Sequence, residues 1–104
     1  MSSDIDPKRI WYILSQVPKG KVITYGQLAE MAGAKQAARV VGNILKQLPI
    51  NTNLPWHRVI NHKGQLSFPE DTLRYQKQKD RLEAEGVILL SGKLDLKHYR
   101  WNGE

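Results

Sequence analysis

The side chains with reactive potential gather in one short segment, Pro55-Trp56-His57-Arg58-Val59. A hydrolase or glycosylase built on His57 would need an acidic partner and a nucleophile, and no convincing nucleophile accompanies it. Thiolate chemistry, which needs a cysteine whose pKa a neighbouring basic group depresses, is closed to the segment, because the chain has no cysteine. Trp56 offers one weak N–H donor and a large apolar face, so it can line a pocket and stack on a base, worth about 1–3 kcal/mol, but cannot attack. The segment therefore points to recognition without bond-making. Zero cysteines also exclude disulfides and thiolate-bound metals, and His57, His62 and His98 lack paired helical spacing, so no metal and no cofactor is expected.

Charge indicates what is recognised. Between residues 19 and 63, Lys19, Lys21, Lys35, Arg39, Lys46, Arg58 and Lys63 face only Glu30, so this stretch holds the whole formal net charge of +6. Such asymmetry points to a polyanion, nucleic acid first, with a solvated basic face as the bland alternative. With 104 residues, 40% apolar and 25% charged, the chain reads as one soluble domain over 1–104. Its residues show neither a membrane-length apolar run nor the pattern of a basic leader with an apolar core, and a cytoplasmic monomer, nucleoid-associated in a bacterium, is expected.

Several elements must position these residues. Asp6 caps a helix that starts at Pro7, buries Ile10, Ile13, Leu14 and Val17, and stops at Pro18. After a β-favouring Val22-Ile23, Thr24 and Gln27 form a capping box for a helix over about 25–32, closed by Gly33. A second helix begins within two residues, with an apolar face of Ala37, Val40, Val41, Ile44, Leu45 and Leu48 up to Pro49. The pair reads as a helix-turn-helix. Lys35, Arg39, Gly42, Asn43 and Lys46 fall on its opposite face. Lys and Arg there can neutralise phosphates while Ala37, Ala38 and Gly42 let the backbone come close to a duplex. Asn61-His62-Lys63-Gly64 turns Gln65-Leu66 back onto Val59-Ile60 as a short β hairpin, which makes the whole mainly α and winged. Residues 70–85 form a charged surface helix with Leu73, Tyr75, Leu82 and Ala84 on its apolar side, ended by Gly86. The tail 87–96 reads as two short strands about Ser91-Gly92-Lys93.

Five ordered blocks then carry a resemblance over about residues 9–87. They are Val17-Pro18-Lys19-Gly20-Lys21-Val22, Thr24-Tyr25-Gly26-Gln27-Leu28-Ala29, Ala37-Ala38-Arg39-Val40-Val41-Gly42-Asn43, Pro55-Trp56-His57-Arg58-Val59-Ile60 and Glu85-Gly86. Together they resemble the DNA-binding domain of the O6-alkylguanine-DNA alkyltransferases, and the missing cysteine makes the chain similar to the alkyltransferase-like proteins. The resemblance implies that the helix-turn-helix enters the minor groove, that Arg39 fills the space left by an extruded nucleotide, and that Tyr25 presses on its 3′ phosphate. DNA contacts are expected from Tyr25, Lys35, Gln36, Ala37, Ala38, Arg39, Gly42, Asn43 and Lys46. His57 and Glu85 match the pair that polarises the family's cysteine, here a structural relay with no thiol to serve.

Departures bear on the pocket. Leu48 stands where the transferases have asparagine, and Ser67-Phe68-Pro69-Glu70 replaces a tyrosine-serine-glycine pattern. By position, Tyr25, Leu45, Leu66, Ser67, Phe68 and Pro69 surround Trp56 in a more apolar or roomier lesion pocket. Trp56 itself either walls that pocket or, by its bulk, fills it. The resemblance thus implies a non-enzymatic sensor that binds O6-alkylguanine in double-stranded DNA and flips it. It also implies a lesion shielded from alkyltransferase and passed to nucleotide excision repair proteins. A sequence-reading winged-helix regulator without lesion preference is the other class these residues allow.

Overall fold

The computed structural model describes residues 5–103 as helices packed around a minimal sheet. Helix α1 (Pro7–Gln16) starts as its sequence dictates: the Asp6 carboxylate accepts from the Lys8 N–H at 3.0 Å, and Pro7 occupies a position where no amide partner is needed. Its buried face is Ile10, Ile13 and Leu14.

Strand β1 (Ile23–Thr24) leads directly into α2 (Tyr25–Met31), where the Thr24 hydroxyl accepts from the Gln27 N–H at 3.0 Å. Only half of the expected capping box forms. The Gln27 side chain instead donates to the Trp101 carbonyl at 2.7 Å and accepts from Arg100 Nε at 3.2 Å, because the tail packs against this end of the helix.

Gly33, at φ +86°, ends the turn after α2 in a left-handed conformation. Helix α3 (Ala38–Lys46) begins later than expected, since the Ala37 N–H bonds to the Ala34 carbonyl and closes a turn over 34–37 first. Ala37, Val41, Leu45 and Leu48 are buried as the apolar stripe requires, whereas Val40, 37% exposed, falls outside it.

The expected hairpin is replaced by a parallel pairing. Strand β2 (Val59–Ile60) runs beside β1 with Ile23 opposite Val59 and Thr24 opposite Ile60. The 61–64 turn does close, through Gly64 N–H to the Asn61 carbonyl at 3.0 Å, but Gln65 then pairs antiparallel with Lys93. The tail is no two-stranded unit either. A tight turn at Ser91-Gly92 gives way to helix α5 (Leu96–Tyr99), capped by Asp95.

Two apolar clusters result. One joins α1, α2 and α3 with Trp56, Val59 and Trp101; the other joins Val22, Ile60, Leu66, Leu82, Val87 and Leu94. Helix α4 (Leu73–Ala84) reaches the second through Leu82 and Tyr75, while Leu73 and Ala84 are exposed. Gln78 is the unexpected member, 1% exposed, its amide donating to the His57 and Val59 carbonyls at 3.1 and 2.8 Å. These two bonds tie α4 to the segment bearing Trp56.

Candidate nucleic-acid interface and base pocket

The outer face of α3 and the turn before it present Lys35, Gln36, Arg39, Asn43 and Lys46 to solvent, with Ala38 and Gly42 half-buried between them. Among the described residues the ion pairs all belong to Glu85, so none of these cations is paired. The Ala37 cap makes no side-chain bond, so the first amides of α3, at its positive dipole end, have no side-chain cap. Small residues, free cations and uncapped amides on one helix and the turn before it suit a phosphate backbone. Ala37 is the exception to the expected set, being 8% exposed and part of the core.

Tyr25 stands beside this face. A methyl group added at Gly42 would lie 3.9 Å from the Tyr25 ring, an ordinary van der Waals contact, so the ring of α2 faces Gly42 of α3 directly. Burial raises the pKa of the Tyr25 phenol, and an interaction with Ser67 only partly offsets this, so the hydroxyl remains a donor at neutral pH. Tyr25 therefore links the α3 face to the 67–69 segment.

Trp56 sits on a short 3-10 turn, Trp56–Arg58, and is 3% exposed. Its indole N–H donates to the Ile50 carbonyl at 3.2 Å, and Phe68 meets it edge-on with ring centres 6.0 Å apart. Leu45 shares its apolar cluster, whereas Leu66 packs into the other one and so leaves the expected pocket. Ser67 and Pro69 are exposed and Phe68 is half-buried. Two guanidinium groups unforeseen in the sequence also flank the indole: Arg74 at 5.3 Å and Arg81 at 5.5 Å from the ring centre.

Below Trp56 the expected relay is present but enlarged. Glu85 takes His57 Nε2 at 2.7 Å, Arg58 Nε at 3.0 Å, Arg58 Nη2 at 2.7 Å and the Gly20 N–H at 3.1 Å. Arg58 Nη1 donates to the Val17 carbonyl at 2.8 Å. Burial by itself would raise the Glu85 pKa, yet the bonds from Arg58, His57 and Gly20 hold it down at about 2. Burial lowers the His57 pKa, against the pull of Glu85, so the imidazole is neutral at neutral pH. Arg58 thus leaves the basic excess assigned to a polyanion. Nothing local announced this pairing, which joins residues 27 positions apart.

Gln78 and Arg74 both take their partners from distant segments, 21 and 19 positions away for Gln78 and 26 for Arg74. Gln78 does lie on the stripe of Tyr75 and Leu82, four positions before the latter, and that spacing was its one available signal.

Comparison with known proteins agrees with this geometry. Residues 7–87 match the family described as 6-O-methylguanine DNA methyltransferase, DNA binding domain. A DNA base-flipping protein of Escherichia coli is 48% identical over 100 residues, covering 95% of this chain and 76% of that one. Alkyltransferase-like protein 1 of Schizosaccharomyces pombe is 41% identical over 98 residues, covering 89% and 91%. Among solved structures, S. pombe Atl1 in complex with damaged DNA containing O6-carboxymethylguanine superimposes with a TM-score of 0.86 at 40% identity, over 92% of this chain and 94% of that one.

Proposed function

The chain belongs to the 6-O-methylguanine DNA methyltransferase DNA-binding family, in its cysteine-less, alkyltransferase-like and non-enzymatic form, and from that premise we propose that it senses O6-alkylguanine in duplex DNA. The carrying observation is a division within one site. Beneath Trp56 the His57–Glu85 pair of a reactive site is kept while an indole stands where the nucleophile would, and beside it α3 keeps unpaired cations and uncapped amides.

In this reading the α3 face follows the minor groove, Lys35 and Lys46 neutralise phosphates, and Arg39 takes the place of the extruded nucleotide. Tyr25, a phenol held as a donor next to Gly42, bears on the flanking phosphate. Extrusion costs a few kcal/mol and is easier for a base that pairs poorly, so damage is favoured before any pocket contact is made. The flipped base lies with its alkyl group against Trp56. Three of the groups that meet the indole, Phe68, Arg74 and Arg81, are only half-buried, so side-chain rotation can shift them. That favours the wall over the plug.

Without a nucleophile the bound lesion stays on the DNA. It is then shielded from an alkyltransferase, and its removal falls to an excision pathway, nucleotide excision repair. Titration of matched duplexes with guanine or O6-methylguanine at fixed salt tests the core of the reading. Tighter binding of the alkylated duplex is expected, with the protein mass unchanged. Equal affinities would leave a sequence-reading regulator instead, and a mass increase by the alkyl group would make the protein a transferase.

A further inference from the structure

Arg74 is a half-buried cation beside Trp56, and one donor of its guanidinium is itself buried and without a partner among the described residues. Its guanidinium carbon lies 5.3 Å from the Trp56 ring centre and 5.8 Å from that of Phe68, and the two rings are 6.0 Å apart. The three groups form a compact triangle. Nη2 donates to the Leu48 carbonyl, while Nη1 is buried with no partner, and no carboxylate pairs with the group among the described residues.

An arginine carries five N–H donors and no acceptor, and a buried donor left open costs roughly 1–3 kcal/mol, more when charged. Arg58, in contrast, spends its fork on Glu85 and Val17. The unpartnered Nη1 has a defined chemistry: it suits an oxygen acceptor, best an anionic one, brought in beside Trp56 and Phe68 as these half-buried side chains shift. Arg81, 5.5 Å from the same indole and likewise without a carboxylate, raises the positive potential there.

We propose that Arg74 is a specificity residue of the pocket and makes it prefer O6-alkyl groups that end in a carboxylate over neutral groups of the same shape. The inference rests on the reading that the adduct lies beside Trp56. A neutral alkyl chain meets only the ring faces and leaves Nη1 open. A carboxylate on the same chain accepts from Nη1 in a charge-assisted bond and neutralises the guanidinium in place.

The test measures affinity at fixed salt for three duplexes, holding guanine, O6-isobutylguanine or O6-carboxymethylguanine, the last two matched in branching and differing in charge. The native protein is expected to favour the carboxymethyl over the isobutyl lesion by about tenfold, one charge-assisted bond. Arg74→Met should bring that ratio to near one while keeping the preference of isobutyl over guanine. Arg74→Lys, which keeps the charge but loses the fork, should give an intermediate ratio and decides the matter if the methionine variant does not fold. Lys46→Met controls for bulk charge and should weaken both lesions equally. An unchanged ratio in both Arg74 variants, with both lesions still preferred to guanine, would overturn the role of Arg74 alone. Three equal affinities in the native protein would overturn the sensor reading and this inference with it.

Discussion

Two basic regions of this molecule have opposite fates. On α3, Lys35, Arg39 and Lys46 stand in solvent with no partner, whereas Arg58 is locked by Glu85 and the Val17 carbonyl within a cluster that also holds His57 and Gly20. As sequence they are one class, contributing equally to a net charge of +6. As structure, one cation group is stored for an outside anion and the other neutralises an inside one. The difference teaches that a basic stretch predicts a polyanion partner only to the extent that its cations remain unpaired after folding.

The comparison breaks if the buried cluster proves dispensable for stability. Glu85→Gln leaves Arg58 without its counter-ion in a largely buried setting, and is expected to cost about 3 kcal/mol in denaturant unfolding. The native protein should also lose this contribution in acid. The Glu85 carboxyl titrates near 2 when folded, so its stabilisation is complete above the usual carboxylate range and fades as pH falls through that range toward 2. His57, whose folded pKa lies below its ordinary value of 6.5, acts in the same direction, stabilising above that value and less as pH falls below it. A stability that rose on acidification would contradict the cluster.

On the other side, Arg39→Ala should leave unfolding nearly unchanged and strongly reduce the signal of a fluorescent base flipped next to the lesion. If flipping persists, Arg39 is not the residue that fills the vacated stack. The smallest effect sharpens the contrast furthest. Lys46→Ala should weaken guanine and O6-methylguanine duplexes alike and lower the slope of log affinity against log salt by about one. A loss confined to the lesion duplex would move Lys46 from phosphate to pocket.

Helix starts and stops were legible because their causes are local. Asp6 with Pro7, Thr24 with the Gln27 amide, and Gly33 act within a few residues of one another. The Trp56 block was legible by its likeness to a reactive segment, and the His57–Glu85 pair by the same likeness. Misreadings gather where partners are distant. Val59-Ile60 alternates and turns as a hairpin should, but its hydrogen bonds go to Ile23-Thr24, and Gln65 goes to Lys93. Leu66 has the right number for the pocket and the wrong cluster.

The sequence by itself determined the helix-turn-helix, the surplus of positive charge and the absence of a nucleophile, since capping, apolar period and composition are properties of neighbours or of counts. Only the tertiary structure decided which cations stay free, that Gln78 fastens α4 beneath Trp56, and that Arg74 is left beside the indole with an open donor. A side chain's charge is written in its residue type, whereas its partner depends on which distant backbone and side-chain atoms the fold brings within hydrogen-bonding reach, about 3 Å.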